Sequence, residues 1–118
     1  MRNENELLSK RVKPDEFRKM ALALAGAEES QHMNHPDFRV EGRIFASLGY
    51  PDNESGMVKL TPEQQAEFVE EAGFRPCNGV WGERGATNVQ LPLAKVGSVR
   101  SALKLAHENI RKMPAKKR

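Results

Sequence analysis

The fold of this chain is decided by residues 35–48, which read HPDFRVEGRIFASL. Two short runs rich in apolar side chains flank the dipeptide Glu41-Gly42. Glycine readily adopts the positive φ that a two-residue hairpin turn requires. The pattern therefore predicts a strand over residues 38–40, a two-residue turn, and a second strand over residues 43–48.

Alternation along these strands assigns their side chains to two faces. Across a two-residue turn we expect the facing pairs Val40–Arg43, Arg39–Ile44 and Phe38–Phe45. One face then holds Phe38, Val40 and Phe45, and the other holds Arg39, Ile44, Ala46 and Leu48. Since helices cover only one face of a two-layer fold, we expect a ligand groove or a homodimer contact on the second face, with Arg39 in or beside it.

Three segments carry the signals of helices. Residues 14–25 begin with proline, which is favoured at the first helical position, and repeat apolar residues at helical spacing. Residues 61–73 begin with Thr-Pro-Glu-Gln, which matches a capping box, and end with glycine. The third helix is predicted from near residue 98 to about residue 112.

The remaining segments favour strands. Residues 30–34 and 57–60 are expected to add strands to the hairpin, and the glycine-rich stretch 74–91 is expected to form two more. Connections of hairpin length make the sheet antiparallel. The predicted fold class is α+β: a two-layer structure with an antiparallel sheet and three helices, in the order α-β(3-4)-α-β(2)-α.

Basic residues are concentrated at the two ends of the chain. Residues 1–13 carry a net charge of +2 and residues 100–118 carry +6, whereas residues 14–99 carry −5. We expect a flexible extension over residues 1–13, a single domain over residues 14–112 and a basic disordered tail over residues 113–118. The acidic body disfavours binding to nucleic-acid backbones, because such binding depends on phosphate neutralisation.

The composition predicts a cytoplasmic protein with no membrane partner. No apolar run approaches the ~20 residues that a membrane span needs. Residues 1–6 have no apolar segment behind them of the kind that directs secretion. The single cysteine, Cys77, cannot form an internal disulfide, which fits a reducing compartment.

Short motifs on both sides of the hairpin resemble the MmcQ/YjbR-like family. In order, they are FR (17–18), LAL (22–24), GAEE (26–29), HPDFRV (35–40), IFA (44–46), VKLTPEQ (58–64), WG (81–82) and RG (84–85). The resemblance spans residues 14–112. It implies a fold similar in topology to type III secretion chaperones, and DNA binding through a "double wing" motif. In one departure, Ala86 stands where the family commonly has an aromatic residue.

Seven residues are candidates for contacting nucleic acid or another ligand: His35, Asp37, Arg39, Arg43, Lys59, Trp81 and Arg84. Cations neutralise phosphates, and an indole ring stacks on a base. A catalytic interpretation would make His35 a base oriented by Asp37, but the sequence shows no nucleophile or phosphate-binding loop to complete it. We therefore predict no catalytic residue, no metal site and no cofactor.

Three functions stay open at this point, and none of them is enzymatic. DNA binding is implied by the resemblance. A dimeric, chaperone-like protein-interaction module would use the uncovered face of the sheet. A small-molecule or anion-binding protein would instead place Arg39, Lys59, Trp81 and Arg84 around a pocket.

Overall fold

The computed structural model describes residues 10–113 of the chain. The elements, in chain order, are α1 (Pro14–Leu22), β1 (Glu28–His32), β2 (His35–Val40), β3 (Arg43–Leu48), β4 (Ser55–Lys59), α2 (Pro62–Phe68), β5 (Phe74–Pro76), α3 (Gly79–Glu83), β6 (Ala86–Gln90) and α4 (Val96–Lys112). The strands form one antiparallel sheet in the order β1-β2-β3-β4-β6-β5. The predicted α+β class is confirmed.

The short helix α3 is the one element that the sequence did not predict. It lies within the glycine-rich stretch 74–91, where we expected only turns between two strands. A Cβ atom on Gly82 would collide with the carbonyl oxygen of Cys77, and one on Gly85 would collide with that of Leu60. These glycines therefore permit close approach of a folded-back helical turn, a role that glycine content alone does not distinguish from a hairpin turn.

The first hairpin differs from its prediction in position. The turn is formed by Met33 and Asn34, both with positive φ, and His32 opposes His35 across it. Pro36 lies inside β2, opposite Gln31. Consequently β1 is two residues earlier than predicted, and His35 belongs to β2.

The second hairpin confirms the predicted turn but corrects the predicted faces. Glu41 and Gly42 both have positive φ, and the pairs Val40–Arg43 and Arg39–Ile44 are as expected. The register then shifts, so that Phe38 opposes Ala46 and not Phe45. This β-bulge moves Ala46 and Leu48 to the face of Phe38, where both are buried. Arg39 and Ile44 remain together on the other face.

The core lies between the sheet and the helices α1 and α4. The ring of Phe17 in α1 packs against Phe38, with centroids 6.1 Å apart. The ring of Phe45 contacts His107 of α4 at 5.4 Å. A Cβ atom on Gly56 of β4 would lie 3.0 Å from the ring of Phe17, so α1 passes close to the sheet. Both long helices therefore cover one face of β2, β3 and β4.

The predicted extension over residues 1–13 and the predicted tail over residues 113–118 lie largely outside the described residues. Residues 1–9 and 114–118 are not described. Val12, which we placed in the extension, is buried. Arg11 forms a bridge with Lys95, and the Lys10 carbonyl accepts a hydrogen bond from the N–H of Val96. Residues 10–12 are thus attached to the start of α4.

Candidate functional site

The sheet has one face that α1 and α4 do not cover, and we call it the open face. Its middle row consists of the cross-strand partners Ser30, Asp37, Ser47, Met57, Asn88 and Arg75, one from each strand. Since side chains alternate along a strand, His35 and Arg39 share this face with Asp37, and Lys59 shares it with Met57. The bulge of β3 leaves Ile44 beside Arg39 on the same face.

Asp37 and Arg39 form an ion pair on the open face. The Nε and Nη2 atoms of Arg39 donate hydrogen bonds to the two carboxylate oxygens of Asp37, at 2.8 and 3.1 Å. Asp37 is only 1% exposed, whereas the Arg39 side chain is 33% exposed. The hydrogen bonds to Asp37 raise the pKa of Arg39 above its usual value. Asp37 therefore fixes the guanidinium group through two hydrogen bonds, while the Arg39 side chain stays partly exposed.

His35 contacts an aromatic ring, while the Asp37 carboxylate is bound by Arg39. The His35 ring meets the ring of Tyr50 edge-on, with centroids 5.9 Å apart. Tyr50 follows β3 and its side chain is 69% exposed. His35 and Asp37 thus share a face, but their geometry does not form the base-and-orienter arrangement that the catalytic interpretation required.

Lys59 and Trp81 meet at the other end of the open face. The Lys59 Nζ atom lies 5.5 Å from the centroid of the Trp81 ring, within the range of a cation–π contact. Trp81 projects from α3 and is 65% exposed. Arg84 ends α3, where its N–H donates to the carbonyl of Val80, and it is exposed three residues from Trp81. Lys59 and Trp81 are therefore in contact, and Arg84 follows the helix that carries Trp81. Arg39, the fourth residue of the predicted pocket, is bound to Asp37.

Arg43 does not belong to this site. It opposes Val40, so it points to the face covered by the helices. Its Nη2 atom donates to the carbonyl oxygens of Ile110 and Met113 at the end of α4, at 2.9 and 3.3 Å. Unpaired carbonyls at the C-terminus of a helix attract cations. The structure therefore places Arg43 as a cap on α4.

Two residues of the open face were missed by sequence reasoning. Arg75 lies opposite Asn88 at the β5 edge, and Tyr50 extends the face beyond His35. Arg75 stands in a three-residue strand of the glycine-rich stretch, and Tyr50 in a loop. Neither has a local pattern that indicates which face it occupies, since only strand pairing and ring contact decide it.

The open face differs in charge from the body as a whole. Within the six strands, alternation places Arg39, Lys59 and Arg75 on this face against the acidic residues Glu28 and Asp37. The acidic helix α2 lies behind β5, because the ring of Phe68 packs against Phe74 at 5.2 Å and Phe74 opposes the core residue Val89. The net charge of −5 calculated for residues 14–99 therefore does not describe the open face.

Two surface depressions lie apart from the residues predicted to surround a pocket. Two surface depressions, of about 580 and 430 Å³, are lined by residues other than the Arg39, Lys59, Trp81 and Arg84 set. Burial raises the pKa of the Cys77 thiol, which disfavours a reactive thiolate. Residues 10–113 contain no group of three or more His, Cys, Asp or Glu side chains placed to hold a metal ion. None of their helices is long and apolar enough to span a bilayer.

Comparisons with known proteins identify the family. A crystal structure of a protein from Pseudomonas syringae, from the Northeast Structural Genomics Consortium, resembles this chain with a TM-score of 0.65. The two are 12% identical, and the match covers 83% of this chain and 98% of that one, which shows a shared fold. Comparison with the curated proteins yields no match. The YjbR family model matches residues 22–111, most of the chain. The chain therefore belongs to the YjbR family.

Proposed function

We propose that this protein is a non-enzymatic DNA-binding protein and that the open face is its binding surface. The observation that carries the proposal is the placement of Arg39, Lys59 and Arg75 on one uncovered face with two exposed aromatic rings, those of Tyr50 and Trp81. Cations that neutralise phosphates, combined with rings that stack on bases, are the two components of single-strand binding surfaces.

The alternative surface for DNA is the pair of hairpin tips, which a double-wing contact would use. The β1–β2 hairpin carries Glu28 and Glu29, and its tip consists of the uncharged residues Met33 and Asn34. The β2–β3 hairpin carries Arg43, whose guanidinium group is bound to the end of α4. The β1–β2 tip has no Lys or Arg, and Arg43 at the β2–β3 tip is held by the end of α4, so we place DNA on the open face and not on the hairpin tips.

The test is a titration of the full chain with a single-stranded oligonucleotide and with a duplex of the same length, at several salt concentrations. Trp81 is the only tryptophan, so its fluorescence reports directly on stacking at the open face. We expect tighter binding of the single strand, with quenching. Lys59→Gln should lower the slope of log K against log salt by about one unit. Trp81→Ala should weaken binding by about tenfold.

Lys104→Gln is the matched control, because Lys104 is exposed on α4, on the opposite side of the molecule. It should change binding far less than Lys59→Gln. Absence of salt-dependent binding would contradict the proposed function. Binding that survives both open-face substitutions but disappears on removal of residues 114–118 would show that only the basic tail contacts DNA.

A further inference from the structure

β1 is an edge strand, and all five of its residues are exposed. Within residues 10–113 no strand lies beyond it. Unpaired N–H and C=O groups along an edge are a template for pairing with a strand of another chain. The β1 edge is therefore available to pair with a strand of another chain.

The turn at Met33-Asn34 determines which main-chain groups of β1 are unpaired. His32 and His35 oppose each other across a two-residue turn, which makes them a hydrogen-bonded pair. Hydrogen-bonded and non-bonded pairs alternate in an antiparallel ladder. The even-numbered residues of β1 therefore bond to β2, and Glu29 and Gln31 direct their N–H and C=O groups outward.

We propose that two copies of this chain associate by pairing their β1 strands antiparallel, around a two-fold axis at Ser30. In that register Glu29 of each copy opposes Gln31 of the other, and together they exchange about four main-chain hydrogen bonds. The sheet then continues from one copy into the next. This proposal does not depend on DNA binding.

The polar side chains of β1 are self-complementary in this register, because a carboxylate of one copy meets an imidazole of the other. Glu28 of each copy opposes His32 of the other, and symmetry repeats the pair. A two-fold axis at Glu29 would instead oppose two carboxylates. The Glu29 carboxylate is already bound by the Arg18 Nε atom on the helix side, at 3.0 Å. Acidic residues at an edge usually prevent pairing, but here they favour an axis at Ser30 over an axis at Glu29.

The same register covers an exposed apolar side chain. Met33 is 80% exposed, more than any other large apolar side chain among the described residues. Met33 begins the turn directly after His32, so in this register it lies at the end of the paired strands, near Ala27 of the second copy. Burial of this side chain adds a favourable apolar contact at each end of the paired strands.

The experiment is sedimentation equilibrium of the full chain over a wide concentration range. Gln31→Pro removes an outward N–H and leaves the ladder to β2 intact, so the dimer should be lost or weakened at least about tenfold. His32→Glu should weaken it about tenfold by opposing two carboxylates. In a Glu28→Gln background, His32→Glu should raise the dissociation constant of the dimer by less than about twofold. Lys104→Glu on α4 should have no effect.

Each remaining outcome counts against the proposal. A chain that stays monomeric at all concentrations would overturn it. So would a dimer that is insensitive to Gln31→Pro, because its contact would lie elsewhere. Should Gln31→Pro fail to fold by circular dichroism, the cycle at positions 28 and 32 decides: equal effects of His32→Glu in both backgrounds exclude the pair.

Discussion

Arg43 shows how a cation can stabilise a helix where a ligand contact was predicted. By sequence it is grouped with Arg39 as a cation that could contact a ligand, although the predicted pairs Val40–Arg43 and Arg39–Ile44 already separate the two by face. In the structure this pairing directs Arg43 towards the carbonyl oxygens of Ile110 and Met113. The identity of a residue predicts what it is able to bind, and strand pairing decides what it reaches.

Replacing Arg43 should therefore destabilise the fold without affecting DNA binding. We expect Arg43→Gln to lower the free energy of unfolding by about 1–2 kcal/mol, through loss of hydrogen bonds to the end of α4. Arg111→Gln is the control, because its contact with Glu41 is a long, exposed ion pair at 3.7 Å; the expected change is below about 0.5 kcal/mol. Urea denaturation measures both. Equal losses would argue against the capping role.

At the scale of elements, the prediction succeeded where the signal is local. The capping box of α2 is present: the Thr61 Oγ1 accepts from Gln64 N–H at 3.1 Å, and the Gln64 side chain accepts from Thr61 N–H at 3.0 Å. The β-bulge depends on contacts between strands, so no spacing within residues 43–48 reveals it. The faces of Ala46 and Leu48 therefore depended on information that the local sequence does not contain.

The start of α1 supports a prediction about pH. Glu16 accepts a hydrogen bond from the N–H of Lys13 at 2.9 Å, and this bond lowers the pKa of Glu16. A carboxylate with a lowered pKa in the folded state stabilises the fold above its unfolded pKa of about 4.3, and this contribution is lost as pH falls through the folded value. Glu16→Gln should thus be less stable than the parent at pH 7 and converge with it near pH 3. Thermal unfolding across this range tests it; a constant difference would contradict the assignment.

At the scale of the whole molecule, the distribution of charge over surfaces matters more than its distribution along the chain. Five of the seven candidate residues form or border the open face: His35, Asp37, Arg39, Lys59 and Trp81. Their common location depends on the pairing of β2, β3 and β4, which brings distant segments side by side. The acidic excess counted along residues 14–99 lies mostly on other surfaces.

Coverage by helices also predicts a gradient of local stability across the sheet. β3 and β4 are covered by α1 and α4, whereas β1 is exposed throughout. In dilute protein, we expect the β1 amides that bond to β2 to exchange with solvent at least about tenfold faster than those of β3. Hydrogen exchange followed by NMR measures this directly. Equal protection in both strands would show that something covers β1 even at low concentration.

The position of α4 has a consequence for synthesis of the chain. Of the helices that pack on the sheet, α4 comes last in the chain. It contributes the buried residues Val99, Ala102, Leu103, Ala106, His107 and Ile110. A ribosome therefore completes all six strands before this helix exists, and the apolar side of the sheet, including Phe45, stays without its main cover until then. Nascent chains that stall before residue 96 should therefore be recognised as unfolded by the cell's chaperones. The native state is expected to form only after α4 has been synthesised.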